Sequence, residues 1–237
     1  MDGNGRWAQR RGMPRTQGHL EGLKTAKQIV KAAGAMGISF LTLYTFSTEN
    51  WKRSAEEVGF VMNLVIKYLR EEFDFYKANN IRIRHAGKRE GLRKDVLAEL
   101  DKACKDTKDA SGIQVILALN YGGRDEIARA VNRLYASELS ADLSADKPAG
   151  ESVTEEKIGL FMDNPDVPDP DLIIRTAGEF RTSNFLLWEA AYSEYFISDK
   201  LWPDWIEDDL AEAVKTYGNR ERRFGAVIKD TVGGTIG

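Results

Sequence analysis

Apolar runs rich in β-branched and aromatic residues alternate along this chain with stretches whose apolar residues recur at helical spacing. This alternation predicts strand–helix–strand units in which the strands are parallel. A chain of 237 residues fits one such domain better than two small ones. We therefore expect a single α/β domain over residues 1–237, with a mostly parallel central sheet flanked by helices.

The same pattern gives each element an expected place. The strands are expected at Phe40–Phe46, Ile81–Ala86, Ile113–Leu119 and 171–174. The helices are expected at 18–35, 55–78, 93–108, 125–139, 153–162 and 207–217, with a mobile loop at about 140–152.

The helix expected at 55–78 lacks a polar face. Its apolar residues, from Val58 to Tyr76, spread around nearly the whole circumference. A helix that is apolar on all sides is buried on all sides or lines an apolar space. The sequence leaves both interpretations open: a central core helix, or the wall of a hydrophobic cavity or subunit contact.

Composition excludes several classes of protein. No apolar run reaches the ~18 residues of a membrane-spanning helix, and no signal-peptide pattern opens the chain. Cys104 is the single cysteine, which excludes an internal disulfide framework and is typical of a cytoplasmic protein.

Charge is unevenly distributed along the chain. The formal net charge is −3, yet residues 1–31 contain seven Lys and Arg against two Asp and Glu, a net +5 that leaves −8 for the remainder. A basic segment on an acidic protein predicts an anionic ligand. Aromatic interleaving, zinc-ligand spacing and an overall basic surplus are missing, so nucleic acid is not expected as a partner.

Three of the expected strands run directly into polar segments rich in small residues. These segments are Ser47–Arg53, Asn120–Arg124 and Arg175–Asn184. Because parallel strands end on one edge of their sheet, we expect the segments to face one cleft. Arginine forks, hydroxyls and glycine backbone N–H groups suit phosphate or diphosphate. The two common nucleotide-binding glycine patterns are absent.

A few single residues could carry chemistry. Asp2 is either a solvated acid or a metal ligand beside a diphosphate, and His19 is either a ligand or a structural residue. His85 lies in a strand pattern and is expected to be structural. The prolines among Asp163–Asp171 predict a rigid acidic loop rather than a metal site. No Cys/His spacing indicates zinc, and Ser183 lacks the context of a serine nucleophile.

Five motifs together resemble one family, the cis-prenyltransferases, and within it the bacterial undecaprenyl diphosphate synthases. The motifs cover nearly the whole chain in the family's order. They are Met1–Ala8, Thr42–Arg53, Asn120–Ile127, Asp171–Glu194 and Arg220–Gly225.

The resemblance implies a mostly parallel sheet, surrounding helices and a hydrophobic tunnel, for which the helix at 55–78 is a candidate wall. It implies a homodimer that uses Mg²⁺ to add isopentenyl diphosphate in Z geometry to an allylic diphosphate such as farnesyl diphosphate. The expected product is undecaprenyl diphosphate, the carrier lipid of cell wall biogenesis. A cytoplasmic enzyme would then contact the membrane only to release product.

Two alternatives remain open beside this product. One is a short- or medium-chain Z-prenyl diphosphate synthase, since bulk at the tunnel floor decides product length. The other is a non-catalytic prenyl-binding partner subunit.

The resemblance also implies roles for residues at matching positions. Asp2 and Asn50 are expected at the reacting centre, with Asn50 positioning substrate while a carboxylate or substrate phosphate takes the proton. Asp2 and Glu194 are expected to hold Mg²⁺. The allylic diphosphate is expected to bind Gly3, Asn4, Gly5, Arg6, Trp7, Arg15 and His19. The loop that closes over the reacting ends comprises Ser47, Thr48, Glu49, Asn50, Trp51 and Arg53. Isopentenyl diphosphate is expected to bind Arg175, Arg181, Thr182 and Ser183, and Arg223 and Gly225 are expected to reach the site across the dimer.

The chain departs from the family pattern in three places. Family members usually carry a strand and a His-containing segment before the motif at Met1, so we expect a sheet strand to precede residue 1 in the native protein. Phe180 stands where some members have a His near the metal, so a third metal-side ligand is not expected. Ala177 replaces a Gly and is expected to restrict its turn.

Overall fold

The computed structural model describes residues 1–142 and 152–219. Its strands are β1 (Phe40–Ser47), β2 (Arg82–Ala86), β3 (Gln114–Tyr121), β4 (Leu172–Arg175) and β5 (Glu194–Ile197). Its α-helices are α1 (Asn4–Gln9), α2 (Arg15–Ala35), α3 (Ala55–Glu71), α4 (Phe73–Ala78), α5 (Lys94–Asp106), α6 (Gly123–Asp142), α7 (Glu155–Gly159) and α8 (Glu207–Gly218). Short 3₁₀ helices span Thr48–Lys52, Glu189–Tyr192 and Trp202–Asp204.

The strands form two parallel sheets. In the first, β3 lies between β1 and β2, and in the second β4 pairs with β5. The prediction of an α/β fold with parallel strands and flanking helices is confirmed. Strand β5 was not predicted.

Strand β3 is the centre of the core. Every residue from Val115 to Tyr121 is buried. As far as Leu119, alternate side chains pack on opposite faces, with Val115, Leu117 and Leu119 in the main core and Ile116 and Ala118 in a second one. Asn120 has a φ of 54°, and Tyr121 then joins the second core. A parallel strand covered on both faces reads as a continuous apolar run, which is why this element was predictable.

The prediction of a single helix at 55–78 is wrong, because the helix is interrupted at Glu72, between α3 and α4. The Tyr68 carbonyl accepts both the Glu72 N–H and the buried Tyr76 hydroxyl, each at 3.2 Å. This second donor draws Tyr76 back against the preceding turn. Helix α3 also has a solvent-exposed edge, formed by Asn63, Lys67 and Arg70, so it is not buried on all sides.

The end of one further helix, and the presence of another, differ from the sequence-based expectation. The helix expected to end at Leu139 continues to Asp142, into the segment expected to be a loop. Most of that segment, 143–151, lies outside the described residues. Helix α1 was not predicted either, because its glycine-rich sequence lacks an amphipathic pattern.

Helix α1 packs on α2 at two glycines one turn apart. A Cβ on Gly18 would lie 1.9 Å from the Asn4 carbonyl oxygen, and one on Gly22 would lie 2.3 Å from Asn4 Oδ1. Both distances are shorter than any van der Waals contact, so only glycine allows this approach. The i, i+4 spacing places both glycines on one face of α2.

An acidic pair is buried beside the second face of β3. Glu126, 1% exposed, accepts the Tyr121 hydroxyl and the Asp163 N–H, the latter at 3.0 Å. Glu189 lies against it, and its Oε2 is buried without a hydrogen-bond partner among the described residues. Burial, reinforced by the Glu126 carboxyl, raises the pKa of Glu189 to about 8. Burial also raises the pKa of Glu126, so the pair retains a proton at neutral pH.

Within the described ranges, no helix combines the length and the apolar character needed to cross a membrane.

Replacing Gly18 by Ala should displace α1, because the new methyl group would overlap the Asn4 carbonyl. We expect the free energy of unfolding to fall by about 1–3 kcal/mol, with faster amide hydrogen exchange in α1. Gly59→Ala is the matched control, since a Cβ at that helical glycine meets no atom within 4 Å. It should stabilise the protein by about 1 kcal/mol. Urea unfolding measures both variants. Equal stabilisation by Gly18→Ala and Gly59→Ala would contradict the close contact between Gly18 and the Asn4 carbonyl.

The free energy of unfolding should fall as the pH rises from the ordinary pKa of Glu189, 4.5, to its folded pKa of about 8. The folded pKa of about 8 lies above the ordinary value of 4.5, so the folded state favours the protonated acid and loses that advantage as pH rises toward 8. Glu189→Gln removes this titration. Between pH 5 and pH 8, the wild type should lose about 3 kcal/mol more unfolding free energy than the variant.

Urea unfolding at both pH values measures the difference. Glu90→Gln, at an exposed carboxylate, is the control and should follow the wild type. Parallel pH dependence of Glu189→Gln and wild type would show that the pair does not share a proton.

Candidate functional site

Asp2 is held at the carboxyl end of β4 by its own backbone. Its N–H donates to Thr176 Oγ1 at 2.8 Å, and the Thr176 hydroxyl donates back to the Asp2 carbonyl at 2.8 Å. The Trp202 N–H donates to the same carbonyl at 3.0 Å. The Asp2 carboxylate accepts Arg175 Nη2 at 3.2 Å and the Gly3 N–H at 2.7 Å.

The Asp2 carboxylate is therefore fixed and charged. Partial burial opposes ionisation, but the Arg175 guanidinium and the Gly3 N–H outweigh it and hold the pKa of Asp2 below its ordinary value. The side chain remains 39% exposed, so a ligand can reach it.

Gly3 and Asn4 lie directly behind this carboxylate. Gly3 adopts φ 102°, and a Cβ there would lie 2.8 Å from Leu201 Cδ2, so glycine is required on both grounds. Asn4 begins α1, and its Oδ1 is buried without a hydrogen-bond partner among the described residues.

A first cationic group, formed by Arg6, Arg175 and Arg181, surrounds the end of β4. Arg6 Nη2 lies 3.0 Å from Glu179 Oε1, and Arg181 donates to the other oxygen of the same carboxylate. Arg175 Nη1 donates to Ser183 Oγ at 2.9 Å. The three guanidinium groups thus all contact the loop that follows β4, either at Glu179 or at Ser183. Thr182 in the same loop is exposed.

A second cationic group, formed by the Arg15 and Arg53 guanidinium groups together with the His19 imidazole, gathers around Glu57. Glu57 Oε1 accepts Arg53 Nη1 at 3.0 Å and lies 3.5 Å from both Arg15 Nη2 and His19 Nε2. The Arg15 guanidinium lies close to Gly5, where a Cβ would be 2.8 Å from its Cζ. Burial lowers the pKa of His19, and Glu57 offsets this only in part.

The segment after β1 is braced by side chains. Asn50 Oδ1 accepts the Ser47 N–H at 3.1 Å, so the amide oxygen serves its own loop. Trp51 Nε1 donates to Asn120 Oδ1 at 2.7 Å, which ties this loop to the end of β3. The geometry favours positioning over proton transfer for Asn50.

Asn184 joins the three polar segments. Its amide nitrogen donates to Glu49 Oε1 at 2.8 Å, and Glu49 also accepts the Thr48 hydroxyl at 3.2 Å. Its carbonyl accepts the Gly123 N–H at 2.7 Å, and its Oδ1 accepts the Arg124 N–H at 2.9 Å. The expectation that the segments after β1, β3 and β4 come together is confirmed, although β4 belongs to the second sheet and not to that of β1 and β3.

A cavity of about 930 Å³ opens beside this edge. Polar residues line its mouth, among them Asp2, Asn50, Arg53, Arg175 and Arg181. It extends between α2, α3 and β1, and between the facing edges of β1 and β4. Its apolar lining includes Leu23, Ala26, Ile29, Leu43, Val61, Leu64, Val65 and Tyr68. The interpretation of α3 as a cavity wall thereby gains support.

The donor set suits a cation held mainly by a ligand's own phosphates. Asp2 supplies one reachable carboxylate at the cavity mouth, and Mg²⁺ commonly binds one or two carboxylates together with phosphate oxygens. Within residues 1–142 and 152–219, no cluster of three or more His, Cys, Asp or Glu could hold a metal ion by itself.

Some predicted site residues lie elsewhere. Trp7 Nε1 donates to Asp204 Oδ1 at 2.6 Å, and Arg11 covers the indole ring at 4.1 Å, so Trp7 anchors α1. Glu194 pairs with Leu172 at the start of β4, about 10 Å along the strand from Arg175. The structure does not bring Glu194 to Asp2 within one chain, and its metal role stays a prediction. Arg223 and Gly225 lie outside the described residues.

The two departures near Arg175 differ in effect. Ala177 adopts φ 72°, a left-handed conformation that costs a non-glycine residue roughly 1–2 kcal/mol. The expected restriction of this turn is therefore present. Phe180 is 85% exposed, with its ring in solvent at the site's rim.

Sequence reasoning missed the residues that assemble the site without facing its mouth. Thr176 lies in the polar stretch after β4 but was not singled out. Gly18 and Gly22 carried a signal in their four-residue spacing. Glu57 and Glu179 were not singled out, because each also binds an arginine from a distant part of the chain, Arg15 and Arg6 respectively.

Residues 1–225 match the family model described as "Putative undecaprenyl diphosphate synthase". The isoprenyl transferase of Treponema denticola is 48% identical over 225 residues, which cover 95% of this chain and 94% of that protein. The isoprenyl transferase of Thermotoga maritima is 45% identical over 228 residues, covering 96% and 95%.

Two solved structures share the fold. The lavandulyl diphosphate synthase of Lavandula x intermedia, in complex with dimethylallyl diphosphate, superposes with a TM-score of 0.88 at 31% identity over 95% of both chains. A "probable undecaprenyl diphosphate synthase" from Campylobacter jejuni superposes with a TM-score of 0.76 at 33% identity, covering 86% of this chain and 92% of that one. The family identified from the motifs is confirmed: this chain belongs to the undecaprenyl diphosphate synthase-like prenyltransferases and is a cis-prenyltransferase.

Proposed function

We propose that this protein extends an allylic diphosphate, farnesyl diphosphate, with isopentenyl diphosphate units in Z geometry, depends on Mg²⁺, and makes undecaprenyl diphosphate for cell wall biogenesis. The observation that carries the proposal is the fixed Asp2–Arg175 pair at the polar mouth of an otherwise largely apolar cavity. A diphosphate requires the polar mouth, and a polyprenyl tail requires the apolar interior.

The second cationic group is the proposed site of the allylic diphosphate. The Arg15 guanidinium lies beside Gly5, whose missing Cβ leaves room for it, and Arg15 and His19 both lie 3.5 Å from Glu57 Oε1. Arg6 lies between this group and β4. As the allylic C–O bond breaks, charge develops on the leaving diphosphate, and fixed donors stabilise it.

Arg175, Arg181 and Ser183 form the proposed site of isopentenyl diphosphate. Arg175 is oriented by Asp2 and Ser183, which leaves its remaining N–H groups for phosphate oxygens. The isopentenyl double bond then faces the allylic carbon, and a new C–C bond forms as the C–O bond breaks.

Asp2 would hold Mg²⁺ together with substrate phosphates. When bound, Mg²⁺ supplies positive charge that stabilises the departing diphosphate. The proton lost from the isopentenyl unit goes to a carboxylate or a substrate phosphate, because the Asn50 amide is a poor base and already accepts the Ser47 N–H.

A short-chain product is the second candidate. It is favoured by the high structural similarity to the lavandulyl diphosphate synthase. Similarity to isoprenyl transferases over nearly the whole chain favours the long product.

A homodimer is part of the proposal. Helix α6 exposes Val131, Tyr135 and Leu139 at four-residue spacing, an apolar stripe of the kind that marks protein interfaces. The enzyme would work in the cytoplasm and meet the membrane only when its long apolar product leaves.

The function is tested with farnesyl diphosphate, labelled isopentenyl diphosphate and Mg²⁺. We expect label to enter a product that migrates as undecaprenyl diphosphate and to be lost when Mg²⁺ is chelated. A product of fewer units would support the short-chain candidate. No incorporation, with the protein folded by circular dichroism, would favour a non-catalytic partner subunit.

Asp2→Ala should reduce turnover by roughly 10²–10³-fold, as expected for loss of one group that stabilises developing charge. The backbone bonds from Asp2 to Thr176 and Trp202 remain, so the melting temperature should change little. Asp109→Ala, at an exposed carboxylate near the opposite edge of the sheet, is the control and should keep full turnover. Normal turnover in Asp2→Ala would refute the metal assignment.

A further inference from the structure

Glu57 does not do what its sequence position predicts. Ser54 and Glu57 have the spacing of a capping box, in which each side chain bonds the other's backbone N–H. Ser54 Oγ accepts the Glu57 N–H at 3.2 Å, which completes one half of the motif. The Glu57 carboxylate instead points toward the second cationic group. The second bond of the capping box, from the Ser54 N–H to the Glu57 carboxylate, is therefore replaced by contacts with this group, and those contacts need a physical reason.

One carboxylate oxygen of Glu57 lies close to two arginines and a histidine from separate elements. Oε1 accepts Arg53 Nη1 at 3.0 Å and lies within 3.5 Å of Arg15 Nη2 and His19 Nε2. Arg15 and His19 belong to the first turns of α2, whereas Arg53 follows the 3₁₀ helix after β1. The Glu57 side chain is 19% exposed, so water screens these contacts only in part.

Glu57 orients the two arginines and leaves most of their N–H donors unbonded to it. A guanidinium has five N–H donors in a rigid fork, and contact with a single carboxylate oxygen leaves most of them available. Without a central negative charge, Arg15 and Arg53 would repel each other and spread into solvent. Arg53 and His19 both line the cavity, so the remaining donors of Arg53 are available there to a ligand.

We propose that Glu57 is a positioning residue for the allylic diphosphate. It holds Arg15, His19 and Arg53 in one convergent arrangement and links the segment Ser47–Arg53 to helix α2. The inference rests on the proposed function, because it takes the second cationic group as the allylic subsite. The isopentenyl subsite at Arg175, Arg181 and Ser183 has no described contact with Glu57 and should be insensitive to it.

Binding of each substrate alone tests this assignment without turnover. Farnesyl diphosphate and isopentenyl diphosphate are titrated separately by calorimetry into wild type, Glu57→Ala and Glu57→Asp. Glu57→Ala should weaken farnesyl diphosphate binding about tenfold and change isopentenyl diphosphate binding less than twofold. Glu57→Asp keeps the charge and should recover part of the loss. The KM values for the two substrates should separate in the same way.

Glu56→Gln is the matched control. Glu56 lies in the same first turn of α3 and is exposed, so it shares the effect of an acid at a helix N-terminus but not the contact with the cations. It should bind both substrates like the wild type. Equal or tighter farnesyl diphosphate binding by Glu57→Ala, or equal weakening by Glu56→Gln, would overturn the inference. If the wild type binds neither diphosphate, the proposed function itself fails.

Discussion

The Thr176 hydroxyl sets the position on which the site depends. It accepts the Asp2 N–H and donates to the Asp2 carbonyl, and it is 1% exposed, so neither bond competes with water. A buried hydroxyl bonded in both directions fixes the backbone of residue 2 beside β4. With Asp2 fixed there, its carboxylate lies next to Arg175. Helix α1 then begins two residues later and packs on the glycines of α2.

The arginines of the site are all compensated by carboxylates of the chain itself. Asp2 faces Arg175, Glu179 faces Arg6 and Arg181, and Glu57 faces Arg15 and Arg53. Compensation lowers mutual repulsion among cations that must stay close while no substrate is bound. An arriving diphosphate gains from arginines that are already oriented, but it also meets these carboxylates. A divalent cation would reduce that repulsion, which gives a physical reason for the proposed metal dependence.

The sequence predicts what depends on local pattern. Strand β3 was found because a strand buried on both faces is apolar throughout, and the meeting of the strand ends followed from parallel order. The contact of Asn4 with Gly18 was not predictable, since it depends on how two helices approach. The break at Glu72 is accompanied by a hydrogen bond from the Tyr76 hydroxyl to the Tyr68 carbonyl. The periodicity of apolar residues contains no information about such side-chain hydrogen bonds. The contacts of Glu57 with the second cationic group were missed for the same reason.

In the proposed reaction, the direction of chain growth follows from the contrast between the polar mouth of the cavity and its apolar lining. A diphosphate cannot enter the apolar lining around Val65 and Tyr68, because burying its charge without partners would cost far more than the lining returns. A hydrocarbon tail has the opposite preference, since each buried CH₂ contributes about 0.8 kcal/mol. Both reacting diphosphates therefore stay at the mouth, beside Asp2 and Arg175, throughout the proposed reaction. Each added unit lengthens only the apolar part, so the tail must advance inward until the volume of the cavity limits it.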